Sequence, residues 1–264
     1  MKNFTNCIIR QLMFVAIMFQ GGCSESPNKD NCSTHEAREK EMSQIELNLR
    51  VHIMKDIIIP HPSGIDLDCW VSTDAVRDTI VPEMNAIWEQ AKIKWVIESI
   101  VEEDVVKDVS YEHSVYYIAH CVRDEEGHSD PARLPILYSL MQPEYRSQGD
   151  EIGKNLFHVY IFPFTGNTSQ GNAMKGFDCH SIVGSWSNKH NGGGVPEKTL
   201  LTEDHNDFDR GSLSRTASHE LGHVLGLRHG ECPYNCLMSG GSNGYSLTEA
   251  QIAEARLEAT LRLF

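Results

Sequence analysis

The sequence predicts an α+β domain, because strand periodicity and helical periodicity both recur along the chain. Residues 45–53 alternate apolar and polar side chains, which is typical of a half-buried strand. Residues 156–164 (LFHVYIFPF) have a strong strand pattern. From Val76 to Ala91, apolar residues recur at helical spacing, which predicts a helix with one buried face.

The same two patterns place the remaining elements. Further strands are predicted at residues 93–100, 115–118 and 182–186. Further helices are predicted within 131–145, over 212–225 and from Ser246 onwards. Pro82 interrupts the pattern of the first helix, so this helix either begins near Pro82 or is kinked there.

Polar residues and one glycine mark the ends of the two C-terminal helices. Ser212 or Ser214 can cap the first of them, and Gly226 can end it in a left-handed turn. Ser246 and Glu249 form a capping box at the start of the last helix. The apolar residues predicted to form its buried face are Ala250, Ile252, Ala253, Leu257 and Leu261.

The composition is that of an acidic globular protein. Hydrophobic residues make up 40% of the 264 residues, which is enough for a sizeable core. The formal net charge is −14. Nucleic acids are bound by clustered Lys and Arg, so this charge argues against a nucleic-acid-binding protein, and we expect no nucleic-acid partner.

The N-terminal residues have the pattern of a signal peptide, which we predict at 1–22. Lys2 and Arg10 supply positive charge, and the apolar run that follows is too short to span a bilayer as a helix. Two processing sites fit the small residues after it. Cys23 ends a lipobox-like Gly-Gly-Cys and would carry a lipid anchor, or cleavage follows Ser24. We therefore expect an exported protein, either secreted or held at the cell envelope as a lipoprotein.

The cysteine count agrees with export. Apart from two N-terminal residues, the cysteines are Cys32, Cys69, Cys121, Cys179, Cys232 and Cys236. An even number in an exported chain predicts disulfide bonds. Cys232 and Cys236 are close enough in sequence to form one bridge, and the pairing of the other four then stays open.

The segment HELGHVLGLRH carries the predicted chemistry. His219 and His223 are four residues apart on a helix, so both imidazoles leave the same face. Gly226 lets the chain reverse after the helix, and the reversal can bring His229 back as a third ligand. Glu220 can reach a metal-bound water without binding the metal itself.

This donor set predicts one catalytic zinc ion. Three neutral imidazoles leave the ion its full charge and an open fourth position, which is the arrangement of a catalytic site. Zinc lowers the pKa of bound water to roughly 7, so hydroxide is available at neutral pH. Glu220 is predicted to be the general base that takes a proton from this water and passes it to the leaving amine. The predicted partner is a peptide or protein substrate.

The segment resembles the long zinc signature of the metzincin metalloproteases, in which a methionine-bearing turn lies under the metal. Met238, nine residues after His229 within Cys-Leu-Met-Ser, is similar to that turn. The order of the predicted elements over 45–264 also resembles a metzincin catalytic domain. The resemblance implies that Met238 is a structural floor of the site and not a ligand.

A metzincin-like fold is a twisted, mostly parallel sheet with helices, an active-site helix and a small C-terminal subdomain. By this resemblance residues 45–229 form the upper subdomain, and residues 230–264 form the lower one with the methionine turn and the final helix. Residues 23–44 precede the domain as a flexible leader or tether. Substrate is expected to lie extended along an edge strand, for which residues 172–177 are the candidate. We expect a monomer.

The methionine turn leaves the metzincin family unresolved. Gly240 occupies the position where some metzincins have a Tyr, and Cys232 and Cys236 lie around the turn. These features are similar to those of matrixins, reprolysins or archaemetzincins. The matrixin cysteine-switch motif is absent from the sequence. If the enzyme is made as an inactive zymogen, the short leader is expected to block the site. The favoured interpretation is that the leader is only a tether.

Two other functions stay open. A surface-anchored binding protein on a metzincin scaffold would use zinc only to hold the fold, although such a site does not need Glu220. A zinc exopeptidase or amidase would have a blocked cleft. Residues 102–154, whose role is not assigned, are the candidates for such a block.

The other ionisable residues receive simpler interpretations. Residues 203–209 are acidic and offer oxygen ligands for calcium, but a solvated acidic loop is favoured. Histidines such as His52, His158 and His180 lack paired ligand spacing, so they are predicted to be surface or core residues.

Overall fold

A β-sheet with helices packed on both of its faces forms the centre of the fold. The computed structural model describes residues 43–119, 133–143, 155–165, 171–173, 179–187, 197–198, 212–230, 235–239 and 244–263. They belong to one compact unit that spans residues 42–264. Within these ranges, no helix combines the length and the apolar character that a membrane span requires.

Six of the eight described strands form one mostly parallel sheet, and the other two form a separate antiparallel pair. The eight strands are β1 Ile45–Met54, β2 Ile59–Pro60, β3 Asp66–Leu67, β4 Ile93–Glu103, β5 Leu156–Phe164, β6 Gly171–Ala173, β7 His180–Ser187 and β8 Glu197–Lys198. The main sheet has the order β4-β1-β5-β7-β6, and β8 also pairs with β7. Strands β4, β1, β5 and β7 are parallel, whereas β6 and β8 run antiparallel to β7. The predicted mostly parallel sheet is therefore confirmed.

The helices largely follow the prediction. They are α1 Thr73–Ala75, α2 Val81–Trp88, α3 Tyr111–Ala119, α4 Arg133–Ser139, α5 Leu213–Val224 and α6 Glu249–Leu261. A π-helical turn, Val76–Ile80, joins α1 to α2, and a 3-10 turn, Glu89–Ala91, follows α2. Pro82 lies in the first turn of α2, where a missing N–H costs little. The first predicted helix is thus one helical stretch whose hydrogen-bonding pattern changes next to the proline.

The prediction of a strand at residues 115–118 is wrong, because they lie within α3. The buried residues of α3 are Ser114, Val115, Ile118 and Ala119. They recur at helical spacing and face α4. A short apolar run fits a buried strand and a buried helix equally well, so periodicity alone does not separate the two. The short helix predicted within 131–145 is confirmed as α4.

The start and the buried face of α6 also differ from the prediction. Thr248 and Gln251 form the capping box, later in the chain than the predicted pair. The backbone N–H of Leu247 is taken by the side chain of Gln90, and the helix begins only after it. The buried residues of α6 are Ala255 and Ala259, whereas Leu257 and Leu261 are exposed. The predicted face is therefore right for Ile252, which packs against the core, and wrong for Leu257 and Leu261.

Strand β5 separates two apolar cores. Phe157 and Val159 face the core that contains α2 and α5, whereas Tyr160 and Phe162 face the core that contains α3 and α4. Side chains of a strand alternate between its two faces, so one strand supplies both cores. Every residue of α5 except His223 is buried. The helix that carries the zinc motif is therefore held on most of its circumference.

Three histidines gather on the face of the sheet that carries α3 and α4. His52 Nδ1 lies 2.5 Å from Glu103 Oε1, and His52 Nε2 lies 3.0 Å from His158 Nδ1. The His158 ring stacks on His180, and His180 Nδ1 is 2.9 Å from the Tyr160 hydroxyl. All five side chains are buried. They form a hydrogen-bonded network in the core, and their ligand atoms do not converge on one point as those of a metal site do.

Burial keeps the imidazoles of this network neutral. Desolvation lowers the pKa of His158 from 6.5 to about 2 and that of His180 to about 3. Desolvation also lowers the pKa of His52, although Glu103 opposes the shift. In the unfolded chain the same rings take up protons below about pH 6.5. Stability is therefore complete above that pH and is lost as the pH falls towards the folded pKa values.

Replacing His158 by Gln is expected to reduce the acid sensitivity of the fold. Gln can still bond to His52 Nε2 but does not titrate, so the unfolded variant takes up one proton fewer. Going from about pH 7 to about pH 5.5 costs the wild type roughly 1 kcal/mol of unfolding free energy per buried imidazole, and His158→Gln avoids one such loss. Denaturant unfolding of the metal-free protein at both pH values measures this. His113→Gln, at an exposed position of α3, is the control. Equal pH dependence of wild type and His158→Gln would contradict the prediction.

Two of the four cysteines whose disulfide partners were left open form no disulfide bond. Cys69 and Cys179 are both buried in the core that contains α5. The Cys69 thiol donates to the backbone oxygen of Ile161, and burial raises the pKa of this thiol. The guanidinium of Arg262 lies 3.3 Å from Cys179 Sγ. Disulfide pairing is therefore wrong for these two residues, because the fold buries each as a separate core side chain.

Several predictions fall outside the described residues. They concern the signal peptide at 1–22, the lipid anchor at Cys23, the leader to residue 42, and the calcium loop at 203–209. The same holds for Cys32, Cys121 and Cys232, so the bridge between Cys232 and Cys236 stays a prediction.

Candidate metal centre

Helix α5 begins at a side-chain cap and carries the first two histidines of the motif. The Ser212 hydroxyl accepts a hydrogen bond from the backbone N–H of Arg215, so Ser212 and not Ser214 is the cap. His219 and His223 lie one turn apart on the same face. Glu220, which follows His219, is only 7% exposed. The helix thus holds two imidazoles and a buried carboxylate within one turn.

The chain reverses immediately after α5. Gly226 has a φ of +84°, which is favourable only for glycine. The N–H of Gly226 donates to the His223 carbonyl, and the N–H of Leu227 donates to the Gly222 carbonyl. These two bonds define a Schellman motif. The reversal returns the chain towards α5 and brings His229 opposite the two helical histidines.

The three histidines of the motif converge on one point. The Nε2 atom of His223 lies 3.1 Å from that of His219 and 3.1 Å from that of His229, and the third side of the triangle is 3.2 Å. Imidazoles at about 2.05 Å from a tetrahedral zinc ion have nitrogens about 3.3 Å apart. The triangle is close to that value, so these residues could hold one metal ion.

The opposite ring nitrogens indicate that the Nε2 atoms of His219 and His223 could both bind a cation. His219 Nδ1 bonds to the Leu237 carbonyl, and His223 Nδ1 bonds to the Leu227 carbonyl. A carbonyl oxygen only accepts, so each Nδ1 must carry the proton. In a neutral ring Nε2 is then a bare lone pair. Two such lone pairs 3.1 Å apart repel each other unless a cation lies between them. Carbonyl partners of this kind also fix the orientation of metal-binding imidazoles.

Burial favours the metal-binding form of the two helical imidazoles. Desolvation lowers the pKa of His219 to about 4, although the Leu237 carbonyl opposes the shift. Desolvation also lowers the pKa of His223. A metal binds the neutral imidazole, so neither ring needs to lose a proton at neutral pH before a metal can bind.

The methionine turn packs directly against α5. Met238 is fully buried, and a Cβ atom built on Gly222 would lie only 2.5 Å from its sulfur. Gly222 lies between His219 and His223 in the helix. A side chain at this position would collide with Met238, so glycine lets Met238 pack against the helix next to the two histidines. The Gly230 N–H donates to the Met238 carbonyl at 3.0 Å, which ties the segment of His229 to the same turn. The structural role of Met238 stays a prediction, and these contacts support it.

Sequence reasoning missed the backbone partners of the site. Every residue has a backbone carbonyl, so the residue types of Leu237 and Leu227 could not indicate that their carbonyls bond to the histidines. Gly222 did offer a signal, because a glycine inside a helix costs stability and usually has a packing reason.

Of the predicted substrate strand, residues 172 and 173 lie in β6 at the edge of the sheet. Residues 174–177 are outside the described ranges, and the role of β6 stays a prediction.

Two solved structures are distantly similar to this chain. No protein-family model matches this chain, and no curated protein matches it significantly. The archaemetzincin of Methanopyrus kandleri is similar with 15% identity over 81% of this chain and 96% of that chain, at a TM-score of 0.44. A chain in a chaperone–substrate complex is similar with 11% identity over 84% of this chain and 36% of that chain, at a TM-score of 0.40. Neither likeness assigns this chain to a family.

Proposed function

We propose that this protein is a zinc-dependent endopeptidase of the metzincin type. The observation that carries the proposal is the triangle of Nε2 atoms from His219, His223 and His229, in which two of the rings have their other nitrogen committed to a carbonyl. Three imidazoles, without a fourth ligand residue in their group among the residues that the structure describes, are the donor set of a catalytic zinc site.

Zinc in this site would polarise the carbonyl of a peptide bond and lower the pKa of water to near 7. Glu220 then acts as general base, because it lies on the same buried turn as the first two ligands. It takes one proton from the water whose oxygen attacks the carbonyl carbon. It delivers that proton to the amine nitrogen as the carbon–nitrogen bond breaks. His219 and His223 remain neutral ligands throughout.

Removal and return of zinc tests the proposal. We expect the purified protein to contain one zinc per chain and to cleave internal bonds in a mixed peptide library. Phenanthroline should abolish cleavage by removing the ion, whereas its non-chelating isomer should not, and added zinc should restore activity. Cleavage that continues in the metal-free protein would contradict the proposal. Bound zinc without any cleavage would favour the non-catalytic binding protein, and release of only terminal residues would favour an exopeptidase.

A further inference from the structure

The side chain of Gln90 connects the 3-10 turn after α2 to the chain that follows the methionine turn. Its Nε2 donates to the carbonyls of Ile87 at 2.7 Å and Tyr245 at 2.6 Å. Its Oε1 accepts from the N–H of Leu247 at 2.8 Å. The amide thus pairs with the backbone of residues 245–247 as a neighbouring strand would, with one donor and one acceptor.

The residues that Gln90 holds are joined by hydrogen bonds to the metal centre. Tyr245 and Ser246 both donate their N–H groups to the Asn235 carbonyl at 2.8 Å. The Ser246 carbonyl accepts from the Leu237 N–H at 2.9 Å. The Leu237 carbonyl in turn bonds to Nδ1 of His219. The path from Gln90 to the first metal ligand therefore passes through two short backbone segments.

We propose that Gln90 is a positioning residue of the metal centre. It fixes residues 245–247, which hold Leu237 in place, and Leu237 sets the orientation and the tautomer of His219. The inference rests on the proposed function for its catalytic consequence, but its effect on metal affinity does not require hydrolysis. A group bonded directly to a metal-binding imidazole contributes about 10-fold to 100-fold in affinity. Gln90 acts through two further links, so we expect an effect of about 3-fold to 10-fold.

Replacing Gln90 by Glu tests this relay, because a carboxylate keeps the acceptor for Leu247 but loses the donor to Tyr245. We expect zinc affinity, measured by competition with a chromophoric chelator, to fall by about 3-fold to 10-fold. Hydrogen exchange of the Leu237 and Leu247 amides should become faster, and kcat should fall more than KM rises. Gln142→Glu is the control, because Gln142 Nε2 likewise donates to the backbone, to the carbonyl of Asp104 at 2.9 Å, and the variant introduces the same charge.

Gln90→Met removes all three side-chain hydrogen bonds of Gln90 without adding charge, and it decides the question if Gln90→Glu does not fold. Unchanged zinc affinity and unchanged exchange at Leu237 in Gln90→Met would overturn the inference. An equal loss in Gln142→Glu would also overturn it, because the effect would then be general destabilisation. A wild-type protein that binds zinc but hydrolyses nothing would refute the proposed function alone, since affinity and exchange still report on Gln90.

Discussion

Replacing Glu220 by Gln is expected to abolish peptide hydrolysis while zinc stays bound. The amide has almost the same shape as the carboxylate, and the three imidazoles that form the Nε2 triangle are unchanged. Gln cannot take a proton from the attacking water, so the general-base contribution is lost. General acid–base catalysis contributes about 10²-fold to 10⁴-fold, and we expect kcat/KM to fall by that factor.

Cleavage of a mixed peptide library and the zinc content per chain measure the two halves of this prediction. Glu249→Gln is the control, because Glu249 is an exposed carboxylate in the first turn of α6. It should retain full activity and one zinc. Equal cleavage by Glu220→Gln and wild type would remove Glu220 from the mechanism. Loss of zinc together with activity would mean that Glu220 supports the metal site instead of the chemistry.

Replacing Glu83 by Leu is expected to cause a large loss of stability. Glu83 lies on α2 and Arg215 on α5, and both side chains are buried, with Arg215 Nε 3.4 Å from Glu83 Oε1. Removing one partner of a buried ion pair leaves a desolvated charge, which typically costs about 3–5 kcal/mol. The pair joins the helix of the metal centre to the neighbouring helix, so we also expect weaker zinc binding.

Denaturant unfolding of the metal-free protein measures the loss. The double variant Glu83→Leu with Arg215→Leu should lose less stability than Glu83→Leu alone, because the buried guanidinium that faces Glu83 is then absent as well. Asp74→Asn is the control: its ion pair with Arg77 is exposed, and such pairs contribute about 0–1 kcal/mol. A loss in Glu83→Leu no larger than in Asp74→Asn would show that the buried pair does not stabilise the fold.

Local features of this fold could be read from the sequence because each is encoded within a few residues. The strand patterns at 45–53 and 156–164 each lie within one continuous stretch of chain, and both strands are present as β1 and β5. Helix α5 carries its cap, its apolar face and its terminal glycine within fifteen residues or so, roughly four turns. The Schellman reversal that returns His229 follows from Gly226 alone.

Features that depend on distant residues could not be read in this way. Whether α6 starts at Ser246 or at Thr248 depends on Gln90, which occupies the Leu247 N–H from another part of the chain. His52, His158 and His180 are far apart in sequence and meet only because their strands are neighbours in the sheet. The strand predicted at 115–118 failed because its partner is a helix, α4, whose presence a local pattern does not reveal.

The third imidazole of the candidate metal centre differs from the first two in its surroundings. His219 and His223 belong to a helix enclosed by core residues, whereas His229 is exposed and lies on irregular chain anchored by Gly230. We expect the His229 ring to be the last of the three to bind an incoming ion and the first to dissociate from it. The lifetime of the bound ion would then reflect the fluctuations of a surface segment, and exchange with solution could proceed without opening the core.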